Sequence, residues 1–196
     1  MWVSVIGGVG TCKEAIVDHM VEMEKFTPYK IEEVEHSDPF WRQYQFLINR
    51  AHLQKEMQGV SHEHDVVSVS SVWDTHEVFS SYLLKTSQIS SIEYERLDSL
   101  YSLLVELKPP RVFIYLRNTT LFSHVRNSLT GKPEYSDEHI ELIKYYYDKF
   151  VKFVKTPVIE IDVHQPMDKI ISELQYGFHS VKATSVRESI WDRKIF

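Results

Sequence analysis

The chain has 196 residues, 43% of them apolar and 26% charged, with a formal net charge of −6. That length supports one core without disulfides or structural metal, no apolar run approaches the roughly 20 residues of a membrane span, and the acidic balance argues against a broad nucleic-acid footprint. A single cysteine, Cys12, and the lack of a basic-then-apolar leader predict a cytoplasmic protein that engages neither nucleic acid nor membrane.

Val3, Val5 and Ile6 form a short apolar run ending in Gly7-Gly8-Val9-Gly10, after which Ile16, His19, Met20 and Met23 recur at helical spacing. The pattern predicts strand, glycine loop, helix. A second strand is expected over Tyr29 to Val34. Asp38 as N-cap and Pro39 at the first helical position then start a helix running to about Gln58, its buried stripe Phe40, Tyr44, Leu47, Ile48 and Ala51. Val66 to Val69 is the next strand, followed by helices over Val72 to Thr86 and Ser90 to Leu107, which Lys108-Pro109-Pro110 closes.

Val112 to Leu116 is a continuous apolar run of the kind buried on both faces of a parallel sheet. A short helix containing Leu121, Phe122 and Val125 is expected after it, and then a polar break at Thr130-Gly131-Lys132-Pro133. Ile140, Ile143, Tyr147, Phe150, Val151 and Val154 share one helical face, and Val158 to Ile161 forms the last strand. Alternating strands and helices predict an α/β fold with a parallel sheet. Residues 1–176 form one domain, and 177–196 read as a C-terminal tail apolar enough to dock on a partner.

Gly7-Gly8-Val9-Gly10-Thr11-Cys12-Lys13-Glu14 approximates the phosphate-binding pattern G-x-x-x-x-G-K-[ST], in which backbone N–H groups surround phosphates, lysine neutralises them and a hydroxyl binds magnesium. Cys12 stands at the second glycine, where a Cβ costs on the order of 1 kcal/mol if the left-handed conformation is kept. Glu14 stands at the hydroxyl position. Its carboxylate in the first helical turn repels a triphosphate, yet is favoured beside the helix N-terminus by roughly 0.3–1 kcal/mol. A plain tight turn explains the same glycines.

Further segments add weight. Asp38-Pro39 followed by Phe46-Leu47-Ile48-Asn49-Arg50, Ser71-Val72-Trp73-Asp74, Val112 to Arg117, and Glu141 to Phe150 occur in the order and spacing of the deoxyribonucleoside kinase family, which residues 2–176 resemble. The resemblance implies a three-layer P-loop kinase fold with a five-stranded parallel sheet, often dimeric, that uses ATP and Mg²⁺ to phosphorylate a deoxynucleoside 5′-hydroxyl. It implies a nucleotide-binding loop made of Gly7, Gly10, Thr11, Lys13 and Glu14, a catalytic base at Glu32 or, one step on, Glu33, and a lid cation at Arg126. Tyr44 falls at the base-reading glutamine, with Gln45 and Gln43 one step away, and Ser71 falls beside the substrate.

The departures from the family pattern are concentrated at the phosphates. Val69 and Ser70 replace an acid and an arginine, and Arg126 to Lys132 holds one arginine and one lysine where several arginines are expected. Phosphoryl transfer rests on positioning and charge neutralisation, so a catalytically impaired protein kept for binding or assembly is expected. An active kinase with a rearranged site using Lys13, Arg117, Arg126 and Lys132, and an interaction protein, are the alternatives. His62-Glu63-His64-Asp65 lacks the helical spacing of a metal motif, so no metal ligands are assigned.

Overall fold

The computed structural model describes residues 1–30, 34–117 and 135–192, with side chains described through residue 181. Five strands form one parallel sheet in the order β2-β3-β1-β4-β5: β1 (Trp2–Gly7), β2 (Thr27–Tyr29), β3 (Val66–Val69), β4 (Val112–Arg117) and β5 (Val158–Asp162). Val3 lies opposite Val67 on one side and Val112 on the other, and this register sets β1 at the centre. The helices are α1 (Lys13–Glu24), α2 (Pro39–Val60), α3 (Val72–Asp74), α4 (Ser81–Lys85), α5 (Ser91–Leu104), α6 (Asp137–Phe153) and α7 (Met167–Asp192).

Strand side chains alternate between faces, and this alternation builds three layers. Val3, Val5, Val112, Ile114 and Leu116 pack with Ile16, Val17 and Met20 of α1 and with Ile170, Leu174 and Phe178 of α7. Ile6, Phe113 and Tyr115 face the other way, onto Phe40 and Leu47 of α2, Leu97 of α5, and Ile143, Tyr147 and Phe150 of α6. Each fully buried aliphatic side chain in these layers contributes roughly 1.5–3 kcal/mol of transfer free energy. The α/β, five-stranded parallel architecture expected from the sequence is therefore present.

Caps fix the helix starts. Asp38 accepts from the Trp41 N–H at 3.1 Å with Pro39 next in the chain. At α5, Ser90 and Glu93 make a reciprocal capping box. Between α3 and α4 the backbone widens into a π-helical segment, Thr75–Ser80, a local feature that periodicity does not reveal.

Two expectations change. Among the described residues β2 starts before the expected Tyr29 to Val34, pairing Thr27 to Tyr29 with Val66 to Ser68, while 31–33 lie outside them; the margin of the sheet accommodates Pro28, which lacks an N–H. The buried face of α2 is Phe40, Gln43, Leu47, Gln54 and Met57, while Tyr44 is exposed and Ile48 and Ala51 are half-buried. The cause is clear at Gln43, whose Nε2 donates to Thr75 O at 2.7 Å and Ser80 Oγ at 3.0 Å; Gln54 Oε1 faces the Val72 N–H at 3.5 Å, while its Nε2 is buried without a partner.

The last helix runs beyond residue 176. Helix α7 passes through Gly177 without a break, and Phe178 is buried against Phe26 with ring centroids 5.9 Å apart. A Cβ on Gly177 would meet Ile159 Cδ1 at 2.7 Å, so the absence of a side chain lets the helix lie close on β5. Core packing thus continues past 176. The helix expected around Leu121 to Val125 and the polar break at 130–133 lie outside the described residues.

Candidate functional site

Strand β1 delivers Gly7 to the C-terminal edge of the sheet, and α1 begins six residues later at Lys13. Gly7 has φ 153°, and a Cβ there would meet Leu116 O at 2.7 Å and Thr11 Oγ1 at 2.8 Å, so only glycine fits. Gly10 is also left-handed, with φ 74°. Thr11 is buried and donates its hydroxyl to Gly8 O at 2.9 Å.

Cys12 retains the left-handed conformation, with φ 59° and ψ 34°, despite its side chain. The loop therefore keeps the backbone course that a glycine would take and carries the associated strain, on the order of 1 kcal/mol. Its thiol lies 3.6 Å from Gly10 O. Lys13 turns back over the loop, donating from Nζ to Gly7 O and Gly8 O, both at 2.9 Å, with Thr11 Oγ1 at 3.5 Å. Glu14 is exposed in the first turn of α1.

The neighbouring strand end is built from β3. Ser70 is left-handed at φ 63°, buried, and donates its N–H to Val5 O at 2.9 Å. Ser71 caps α3 through Asp74, whose Oδ1 accepts from the Ser71 N–H at 2.6 Å and the Ser71 hydroxyl at 2.7 Å. Asp74 is fully buried, and its Oδ2 accepts from the Tyr147 hydroxyl at 3.2 Å. Burial, then Asp74, pushes the Tyr147 phenol well above its usual value, with the Gly7 backbone amide opposing.

Arg50 reaches the same strand end from α2, donating from Nη1 to Val69 O at 2.8 Å. Its Nε is buried without a hydrogen-bond partner. Burial pulls the guanidinium pKa down, and Asp74 and Tyr147 push it back up. A cation thus stands beside Val69 and Ser70 although neither residue supplies one.

Gly7, Gly10, Thr11, Lys13 and Glu14 come together as one loop, and Ser71 lies at the adjoining strand end. Tyr44 and Gln45 do not join them. Both are exposed on the opposite side of α2, where with His36, Trp41, Ile48 and Asn49 they line an open cleft of about 370 Å³. Gln43 is the amide that faces inward. The sequence carried a signal for it, since Phe40, Gln43 and Leu47 hold helical spacing, but a polar residue is read as buried only when its partners are known. Glu32, Glu33, Arg126 and Lys132 lie outside the described residues, while Arg117 ends β4 with Nη1 4.0 Å from Glu160.

This arrangement can hold an anion in a glycine loop beside a lysine. The loop residues suit a phosphate group: left-handed Gly10 and Cys12 turn the backbone into the N-terminus of α1, and Lys13 Nζ lies on the same loop. They fit a magnesium ion poorly. Thr11 is committed to Gly8 O, Asp74 is committed to Ser71 and Tyr147, and the hydroxyl position holds Glu14.

Comparison with solved structures finds the same architecture in other proteins. The chain is similar to deoxyadenosine kinase from M. mycoides with bound dATP (TM-score 0.75, 16% identity, 91% of this chain and 100% of that one). The same holds for that enzyme with products dCMP and a flexible dCDP (0.78, 18%, 92% and 100%) and with bound dCTP (0.77, 17%, 92% and 100%). At these identities the likeness establishes the P-loop kinase fold. No family model and no curated protein sequence matches the chain.

Proposed function

We propose that this chain is a deoxynucleoside-kinase-like protein that binds the phosphates of a nucleotide at Gly7–Glu14 and transfers phosphoryl groups slowly or not at all. The observation that supports the reading is the loop itself: Cys12 is left-handed, the course open to the glycine of the motif, while Glu14 stands where the motif has its hydroxyl. Structures with this fold hold dATP, dCTP and dCMP, which supports a nucleotide or deoxynucleoside as ligand.

The retained and missing parts have different consequences. Backbone N–H groups and Lys13 supply binding energy to the ground state, which lowers a dissociation constant without lowering the barrier. The barrier depends on groups aimed at the transferring phosphoryl, and Val69, Ser70 and Glu14 leave that place short of charge-neutralising side chains. ATP is the nucleotide the resemblance implies as donor. No step is derived through magnesium.

A second reading, an active kinase with a rearranged site, is favoured by Arg50, which brings a guanidinium to the Val69 carbonyl. Calorimetric titration with ATP, dCTP and deoxynucleosides, with and without magnesium, alongside a sensitive phosphorylation assay, separates the two. Binding with turnover far below the roughly 1–100 s⁻¹ of ordinary kinases supports the first reading, and turnover in that range selects the second. No helix among the described residues is long and apolar enough to cross a membrane, and a cytoplasmic homodimer completes the proposal; sedimentation velocity tests the assembly.

A further inference from the structure

Helix α6 touches the candidate phosphate site at two successive turns. A methyl group placed on Gly8 would lie 3.5 Å from Ile143 Cγ2, so this side chain packs on the loop itself. One turn later the Tyr147 hydroxyl donates to Asp74 Oδ2 at 3.2 Å. Asp74 in turn fixes Ser71, and the preceding Ser70 N–H bonds to Val5 O, two residues before Gly7. The contacts close a circuit that runs from Gly8 through Ile143, Tyr147, Asp74, Ser71, Ser70 and Val5 back to Gly7.

Tyr147 is held rigidly within that circuit. Its ring stacks on Tyr115 at 5.6 Å and meets Phe79 edge-on at 6.1 Å, and the ring is fully buried. On the outer side of α6, Tyr115 OH donates to Asp148 Oδ1 at 2.8 Å and Lys144 Nζ to Asp148 Oδ2 at 2.9 Å. The helix is thus anchored at Asp148 independently of Asp74.

We propose that Tyr147 is a positioning residue for the phosphate loop, setting the spacing between that loop and the β3 end through its hydrogen bond to Asp74. The inference rests on the nucleotide-binding reading above. An anion cradle of backbone N–H groups depends on a fixed loop, and a buried carboxylate deprived of a donor draws its remaining partners toward itself or admits water.

The test compares Tyr147→Phe, Asp74→Asn and Tyr115→Phe with the unaltered chain, reading amide hydrogen exchange across residues 7–13 and the affinities for dCTP and deoxycytidine. Tyr147→Phe is expected to speed exchange in the loop about tenfold while residues 112–116 stay protected. It should weaken dCTP about tenfold and deoxycytidine less than twofold. Asp74→Asn should give the same pattern, the double variant should be no worse than the worse single, and Tyr115→Phe should leave the loop unaffected.

Unchanged loop exchange in Tyr147→Phe, an equal effect from Tyr115→Phe, or multiplicative losses in the double variant overturn the proposal. If Tyr147→Phe does not fold, Asp74→Asn decides alone: exchange changes confined to residues 71–75 overturn the proposal, and changes reaching 7–13 uphold it. An unaltered chain that fails to bind dCTP refutes the nucleotide reading instead, and the exchange comparison still judges Tyr147.

Discussion

Lys13 Nζ lies 2.9 Å from the carbonyl oxygen of Gly7, so the cation of the loop is bonded to the loop's own first glycine. A ligand phosphate competes with that carbonyl, and Gly8 O, for the same ammonium. Lys13→Ala should therefore weaken nucleotide binding by roughly 10–100-fold, the equivalent of one charge-assisted hydrogen bond. Folding stability should fall by about 1–3 kcal/mol, because the Gly7 carbonyl belongs to a buried residue and loses this donor. Titration calorimetry and urea unfolding on the same preparation check both; an unaltered dissociation constant removes Lys13 from the site.

Cys12 offers a test of strain. At φ 59° its Cβ costs about 1–2 kcal/mol, whereas glycine there adds about 0.4–1 kcal/mol of unfolded-chain entropy. Cys12→Gly should come out stabilising by a few tenths of a kcal/mol up to about 1 kcal/mol, and Cys12→Val destabilising. Denaturation midpoints in reducing buffer give the sign, and destabilisation by glycine means the thiol contributes more than its strain.

His76 predicts an acid-side loss of stability. The imidazole is buried between Tyr94 and Tyr101, with Nε2 3.1 Å from Asp98 Oδ1 and Nδ1 without a partner. Burial lowers its pKa below 6.5, against the pull of Asp98 and Glu77. Well above pH 6.5 folded and unfolded chains both hold it neutral; below, the unfolded chain takes a proton that the folded chain resists. Stability should fall with acid from that value down to the folded pKa, with a slope of at most about 1.4 kcal/mol per pH unit from this group. His139, half-buried and lowered by the same desolvation, contributes with the same sign. Urea midpoints between pH 7.5 and 5 should be flatter in His76→Phe; identical profiles reject the assignment.

Gln43 and Gln45 should behave oppositely although they are two residues apart. Gln43→Leu leaves the Thr75 carbonyl, inside the π-helical segment, without its donor and should cost about 1–3 kcal/mol. Gln45→Ala, on the exposed side, should stay within about 0.5 kcal/mol. Thermal unfolding of the pair measures the contrast, and equal shifts refute the placement of the α2 face.

The contrast shows what could be read from the chain and what could not. Val112 to Leu116 reads as a buried parallel strand because its composition alone demands two covered faces. Asp38-Pro39 marks the start of α2 because the cap and the missing N–H are local chemistry. The orientation of α2 is not local. It depends on a carbonyl and a hydroxyl 32 and 37 residues away, and nothing near Gln43 announces them. Arg50 is hidden for the same reason, since its partner is a strand carbonyl 19 residues on. The loop is legible as a phosphate motif with two substitutions; that Cys12 keeps the left-handed course shows only in the folded backbone.

Pro28 lies in a three-residue strand at one margin of the sheet, and at the other β5 exposes Glu160 and Asp162. The first margin presents too few donors in a row for an incoming chain to zip onto, and the second confronts it with repelling carboxylates. Among the described residues neither margin favours intermolecular strand pairing, so association of folded copies is expected through helix or loop surfaces, and fibril growth after the sheet comes apart.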